Sequence, residues 1–359
     1  MRYLVVVLCL SFSPFLSLLA QDGNIQKAFK GPQILHLPSA TPIQKDIMDF
    51  RFNHRFGNAK STSYDLLGLD QGANIQLSLD YGITDKLSVG FARSSAYKTY
   101  EGRSKFTLFE QGSFPLTLAI AGSVGFDTQK KTIDYGPYVI PQATGVTALD
   151  TVLKRDLNRY KLSVKDRTGY FGSILMDRKF GEMFSLQVAP LFVHRNFVKP
   201  HIANDRWGLD LAGRIHIAGE WAIMFETIVM DKRDYIGEDY NTVDSEVYGI
   251  DTTKQLTAQE INDGYHLSKA SDLNYVYFRN VLSNKKVPHY SVPFSVGLSY
   301  ETGGHMYQVF VTNMRALAYT HLLHGADYNY NNREWTIGFN INRYYSFAKD
   351  EAKKEFEDF

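Results

Sequence analysis

Cysteine is nearly absent from this chain, with one residue, Cys9, among 359. Cys9 sits inside an apolar leader and follows Leu8, whereas a lipidation signal places a small residue before its cysteine. Beyond the leader there is no thiol, which excludes disulfides and thiol chemistry from the remainder. Long apolar runs are missing as well: no stretch after the leader approaches the ~18 consecutive apolar residues that mark a membrane helix. An excess of one charge is also lacking. The 39 Lys and Arg residues balance 38 Asp and Glu, so nothing points to nucleic acid or another polyanion. No nucleotide loop, cofactor fingerprint or metal-binding cluster is present, and no cofactor is expected.

What the chain does contain begins with its leader. Arg2 precedes an almost wholly apolar Tyr3–Leu19, and Ala20 offers a small residue before Gln21. This is the layout of a secretory signal peptide over residues 1–20. Residues 21–46, with three prolines, read as a periplasmic N-terminal extension. Within it, Ile34, Leu35 and Leu37 either tuck into a barrel base as a partial plug or belong to a mobile tail. Aromatic residues make up 14% of the chain and hydrophobic residues 44%. Dispersed hydrophobicity with many aromatics suits a soluble all-β domain or a membrane barrel with aromatic girdles.

Alternation along the chain separates these two classes. In the first candidate strand Phe50, Phe52, His54 and Phe56 share one face, opposite Asp49, Arg51, Asn53 and Arg55. In the second, Ile75, Leu77, Leu79 and Tyr81 oppose Asn74, Gln76, Ser78 and Asp80. Segments of this period recur near 86–96, 103–111, 115–126, 168–180, 183–195, 206–218, 221–232, 290–301, 304–315 and 333–347. The total is about twelve, and single-chain bacterial barrels use even numbers. Short turns at 83–85, 112–114, 181–182, 219–220 and 302–303 alternate with longer links at 58–71, 97–102, 127–167, 196–205, 233–289 and 316–332. The expected fold is therefore all-β: a transmembrane antiparallel β-barrel over residues 47–347, with short periplasmic turns and long extracellular loops. A charged C-terminal tail, 348–359, follows. A soluble sandwich offers no reason for a lipid-like face repeated over a dozen hairpin-connected segments.

Several blocks resemble a known family. They are DFRFNHRFG (Asp49–Gly57), DLLGLDQGANI (Asp65–Ile75), DYGITDKLSVGFARSS (Asp80–Ser95), KTYEG (Lys98–Gly102), LFVHRNFV (Leu191–Val198), ETGGHMYQVFVTN (Glu301–Asn313) and IGFNINR (Ile337–Arg343). Over Gly31–Phe347 the chain is similar to an outer-membrane β-barrel family of Bacteroidetes bacteria whose domain has no assigned function. The resemblance implies a barrel and an outer-membrane address; it brings no activity, substrate or catalytic residue. The segments 127–167 and 233–289 are longer than is usual in that family.

With the apolar faces toward lipid, parity turns the other faces into the lumen. Lumen-lining candidates are Asp49, Arg51, Arg55, Asp80, Arg195, Asp210, Arg214, His216 and Glu226, with Glu226 placed near Arg214 across a strand hairpin. Small residues face them: Ser88, Gly90 and Ala92; Thr117, Ala119, Ala121 and Ser123; Ser295, Gly297 and Ser299. Two readings stand side by side: a narrow water-filled passage of mixed charge, or interlocking salt bridges that plug the lumen. His54-Arg55-Phe56 and His194-Arg195-Asn196 fall at outer strand ends, histidines toward lipid and arginines inward. Arg55 and Arg195 either select anions at the mouth or tether loops. His321 and His324 have three-residue spacing but no Cys or Glu partner nearby, and are read as structural or solvated. The run Asp239, Asn241, Asp244, Glu246 and Asp251 lacks the pattern of a calcium loop and is read as solvated surface. By charge, segment 127–167 is +3 and segment 233–289 is −3, which suits docking of one loop on the other as a lid.

The functional expectation is a channel or facilitator for small solutes in the cell outer membrane, with outer-membrane lipid, a small-solute substrate and a periplasmic protein as partners. The alternative is a non-conducting barrel that displays loops or anchors a periplasmic complex. An enzyme is disfavoured, because no Ser–His pair with an orienting group is evident.

Overall fold

A computed structural model gives the architecture of residues 27–60, 63–129, 163–196, 204–230, 241–250, 265–268, 276–286 and 291–347. Twelve antiparallel strands close into a barrel. They are β1 (Ile47–Arg55), β2 (Asn74–Gly82), β3 (Leu87–Ser94), β4 (Thr99–Phe109), β5 (Thr117–Asp127), β6 (Thr168–Phe180), β7 (Phe184–Arg195), β8 (Asp205–Ala218) and β9 (Trp221–Met230). After β9 come β10 (Asn241–Ile250), β11 (Tyr265–Ser268) and β12 (Val276–Lys286), and the barrel resumes with β13 (Phe294–Thr302), β14 (His305–Thr312) and β15 (Thr336–Ser346). Sequential neighbours pair, β13 pairs with β9, and β15 returns to β1, so the barrel has no free edge. Closure satisfies every strand's main chain without water, the condition for crossing a membrane with strands.

The alternation read along the chain is the alternation of the wall. On β1, Asp49, Arg51, Asn53 and Arg55 are buried, while Phe50, Phe52 and His54 on the other face are half-buried. Leu77, Leu79, Phe91, Ile120, Val124, Ile174, Val229, Leu298 and Val309 are exposed on the outside. Charge inside and aliphatic surface outside is the inverse of a soluble domain, and it excludes the sandwich. All twelve expected strands are found. The tight turns also follow their chemistry: Gly181 (φ 60°) and Gly219 (φ 54°) hold a left-handed backbone that a Cβ would strain.

Two segments depart from the expected loops. The 233–289 link contains the separate sheet β10–β12–β11. The 316–332 link folds inward, into the barrel, and forms a short 3₁₀ helix, Tyr319–His324. The reason is composition: Leu317, Leu322 and Leu323 are buried inside the barrel end, and exposure would forfeit roughly 1.5–3 kcal/mol for each. The leader 1–20, the interior of 127–167, the calcium candidates' side chains, the lid contact and the tail 348–359 lie outside the described residues.

Candidate functional site: a doubly occupied lumen

The lumen contains protein from both ends. From the short-turn end, residues 27–46 enter as a hairpin, reverse at Ile34–Leu37, and return to feed β1. The reversal is closed by Ile34 N–H donating to the Leu37 carbonyl (2.8 Å) and Ser39 N–H to Pro32 (3.0 Å). Ile34, Leu35, Leu37 and Ala40 are fully buried. Of the two readings of this stretch, the inserted one describes its position.

The wall holds this hairpin chiefly by its main chain. Glu226 on β9 accepts three consecutive N–H groups, from Leu35 (2.7 Å), His36 (2.8 Å) and Leu37 (2.9 Å). Arg55 on β1 and Asn340 on β15 both donate to the Leu35 carbonyl at 3.0 Å. Deeper along the return leg, Asp177 on β6 accepts from Ala40 N–H (2.7 Å). Lys105 on β4 donates to the carbonyls of Ser39 (2.9 Å) and Thr41 (2.5 Å), and Gln187 on β7 donates to Pro38 (3.2 Å). Near the tip, side-chain recognition comes from Gln33, which accepts from Arg51 (2.7 Å), and His36, whose ring meets Ser295 (2.8 Å) and stacks edge-on to Phe310.

From the long-loop end, the inward-folded segment meets the hairpin. Gln76 donates to the Leu317 carbonyl (2.9 Å) and Arg103 lies 4.0 Å over the Tyr319 ring. Leu37 and Ala40 of the hairpin and Tyr319, Leu322 and Leu323 of this segment pack among Ala119, Ala121, Leu175, Ala189, Leu191 and Ile228 of the wall. The small residues of β5 and β7 therefore make room for leucines, not for water. A Cβ on Gly125 would stand 2.6 Å from the Thr320 hydroxyl, so the helix rests directly on that strand.

His321 marks the end of this insertion. It is buried, bonds Asp127 at 3.0 Å and stacks on Tyr97. Burial pushes its imidazole below its ordinary range; the Asp127 bond opposes this and Arg195 adds to it. The docked segment therefore holds the ring neutral, and its stabilisation is full above the ordinary value of ~6.5 and declines as pH falls below it. Hydrogen exchange at Thr320–Leu323, taken relative to an intrinsic rate that itself slows over this range, is expected to accelerate between pH 7 and 5. A His321→Gln chain should lose that acceleration, and an unchanged profile would remove His321 from the docking equilibrium.

The sequence candidates are distributed as follows. Asp49, Arg51 and Asp80 form one buried cluster: Arg51 Nε lies 3.0 Å from Asp49, and its guanidinium pairs with Asp80. Arg55 and Glu226 both grip the hairpin tip. Asp210 is buried and accepts from Gln187 (3.0 Å). Arg214 pairs with Glu301 on β13 (2.8 Å), not with Glu226, because the register sets it opposite Met224. Arg195 lies 4.0 Å from Asp127 at the long-loop mouth. His216 is only half-buried beside the β8–β9 turn, where its Nε2 lies 2.8 Å from the Gly219 carbonyl oxygen. His54 faces outward and stacks on Phe339. Asp49, Arg51 and Asp80, Arg103 with Glu101, and Arg214 with Glu301 form buried ion pairs, while Arg55, Glu226, Lys105 and Asp177 are directed at peptide groups. Sequence reasoning missed Glu101, Arg103, Lys105, Asp177 and Gln187. Strict alternation over Thr99, Glu101, Arg103, Lys105 and Thr107 was a usable signal for the first three. At the short-turn end a cavity of about 460 Å³ remains, lined by Lys30, Arg214, Glu220, Glu301, Met306 and Tyr344 among others.

Known proteins were compared with this chain. No curated protein sequence matches it. Among solved structures it is similar to the NanC porin, at 7% identity over 82% of this chain and 98% of that one (TM-score 0.42). It is also similar to the KdgM porin, at 9% identity over 84% and 99% (TM-score 0.36). A third is the outer membrane protein Omp33 of Acinetobacter baumannii, at 8% identity over 86% and 100% (TM-score 0.35). The family described as "membrane bound beta barrel domain (DUF5777)" matches residues 29–345, a span that takes in nearly all of the lumenal hairpin and of the barrel strands. With that match over most of its length, this chain belongs to the DUF5777 family of membrane-bound β-barrel domains.

Proposed function

We propose that this chain is an outer-membrane channel or facilitator for small solutes that rests closed, with its N-terminal hairpin as the gate. The observation that carries this reading is the capture of Leu35, His36 and Leu37 N–H by the single carboxylate of Glu226. A hairpin held by side chains, not by strand pairing with the wall, can leave without breaking the barrel. Both of its legs run to the short-turn end, where Lys30 pairs with Glu220 (2.7 Å) on one leg and Lys45 N–H donates to Asp85 (3.1 Å) on the other. Withdrawal in that direction threads nothing. Each hydrogen bond exchanged for water contributes about 0.5–1.5 kcal/mol, so opening calls for work from a periplasmic partner or from solute binding. The outer-membrane address and a Bacteroidetes source are part of this proposal and rest on the family resemblance. The reading needs no chemistry on the solute, so it is a transport function and not an enzymatic one.

Single-channel recording of the refolded, leader-free chain tests it. The wild type should be silent, and a chain carrying Asp177→Ala and Glu226→Ala should open in discrete steps. Steps in the wild type would mean that the hairpin is no gate. Silence from a double variant that still migrates as a folded, heat-modifiable barrel would favour the second reading, a non-conducting structural barrel. The leucine packing along the lumen is what speaks for that alternative.

A further inference from the structure

We infer that the lumen wall is a binding site for peptide main chain, and that the cargo of the opened barrel is a short, apolar peptide for which the hairpin stands in. This rests on the proposed gating and names its solute class. The wall's polar groups meet Leu35–Thr41 almost entirely at atoms that every peptide shares. Leu35 is gripped at both poles of its peptide unit: its N–H by Glu226, and its carbonyl by Arg55 and Asn340. The arrangement repeats a few residues on. Ala40 N–H goes to Asp177, while the flanking carbonyls of Ser39 and Thr41 go to Lys105. Thr107 reaches the Ala40 carbonyl at 3.3 Å and Gln187 the Pro38 carbonyl. Acceptors meet N–H groups and donors meet carbonyls at two places, first at the reversal of the chain and again on its return leg.

Side chains are received differently. Leu37 belongs to an apolar cluster with Ala119, Ala121, Leu175, Ala189, Leu191 and Ile228, and Ile34 and Leu35 to one with Ala212, Met224 and Phe310. Apolar sockets accept any aliphatic group of suitable volume, because apolar packing is non-directional. A wall that reads main chain by hydrogen bonds and side chains only by size recognises a class of ligand, in the way that added strands are recognised at sheet edges. A sugar or an inorganic anion offers neither the alternation of N–H and carbonyl nor the aliphatic groups for these sockets. The specific contacts, Gln33 with Arg51 and His36 with Ser295, belong to the gate and not to the class.

The test uses dye-labelled synthetic peptides and the full leader-free chain carrying Leu35→Asp and Leu37→Asp, whose own hairpin cannot reseat. One peptide copies QILHLPSAT, residues 33–41; a second has unrelated sequence with aliphatic residues at the same positions; a third is uniformly polar. The first two should bind and the third should not, with Glu226→Gln weakening both by roughly tenfold or more, which corresponds to about 1.4 kcal/mol. Binding of the copy alone would reduce the site to a gate socket and overturn the proposal, as would no binding to a folded barrel. Should the double variant fail to fold, the wild type answers instead. The unrelated peptide at millimolar concentration, matching the effective concentration of a tethered segment, should speed amide exchange at Leu35–Leu37. No acceleration would overturn the proposal. Conductance is read separately, so a silent barrel that binds peptides refutes the channel and not the site.

Discussion

Glu226→Ala is expected to release the hairpin tip while leaving the barrel closed on itself. Three buried N–H groups lose their shared acceptor at once. An unsatisfied buried donor costs about 1–3 kcal/mol, and an alanine at this wall position offers no replacement. The three penalties do not simply add, because the tip escapes them by leaving and finding water. The loss is therefore capped near the free energy of undocking. Amide exchange at Leu35, His36 and Leu37 should rise by roughly a hundredfold, about 2.7 kcal/mol, with the β-strand amides unaffected. Glu226→Gln keeps one carbonyl oxygen and should fall between the two. Protection unchanged in the alanine variant would mean that Ile34, Leu35 and Leu37 hold the hairpin by apolar burial alone.

Arg51→Ala is expected to damage the barrel itself. Arg51 sits between Asp49 and Asp80 with its side chain 3% exposed, and also donates to Gln33 of the hairpin. Taking away the cation leaves two buried carboxylates facing each other across β1 and β2. Breaking a buried pair from one side costs about 3–5 kcal/mol, most of it the stranded charge. Removing all three charges is a different experiment. Arg51→Met with Asp49→Asn and Asp80→Asn should recover most of the loss, since a neutral cluster has nothing to strand. Urea unfolding in detergent micelles, followed by gel mobility, measures both. Equal destabilisation by the single and triple variants would show that packing of the Arg51 stem, not charge, is what matters.

Different parts of this molecule were legible at different ranges. The sequence alone determined the wall, since the side-chain period of a strand is a local property. Asp49, Arg51 and Arg55 on one side of Phe50, Phe52 and His54 name the inner and outer faces of β1 without any knowledge of its neighbours. The alternation of short and long links set the strand order in the same local way, and Gly181 and Gly219 marked their turns. Glu226 and Arg55, which parity assigns to the inner face, are buried and bond the hairpin.

What fills the lumen was decided by tertiary structure only. Glu226 and Leu35 are separated by 191 residues, and a carboxylate's partner is a main-chain N–H, a donor that nearly every residue carries and that leaves no mark in sequence. Arg214 illustrates the same limit: its partner was sought across the nearest hairpin, and the register gave it Glu301 instead. The small residues of β5 suggested space, and they did make space, but volume has no label for its occupant. Leucines from two distant segments took it, because an apolar wall in a closed barrel gains more by burying side chains than by ordering water.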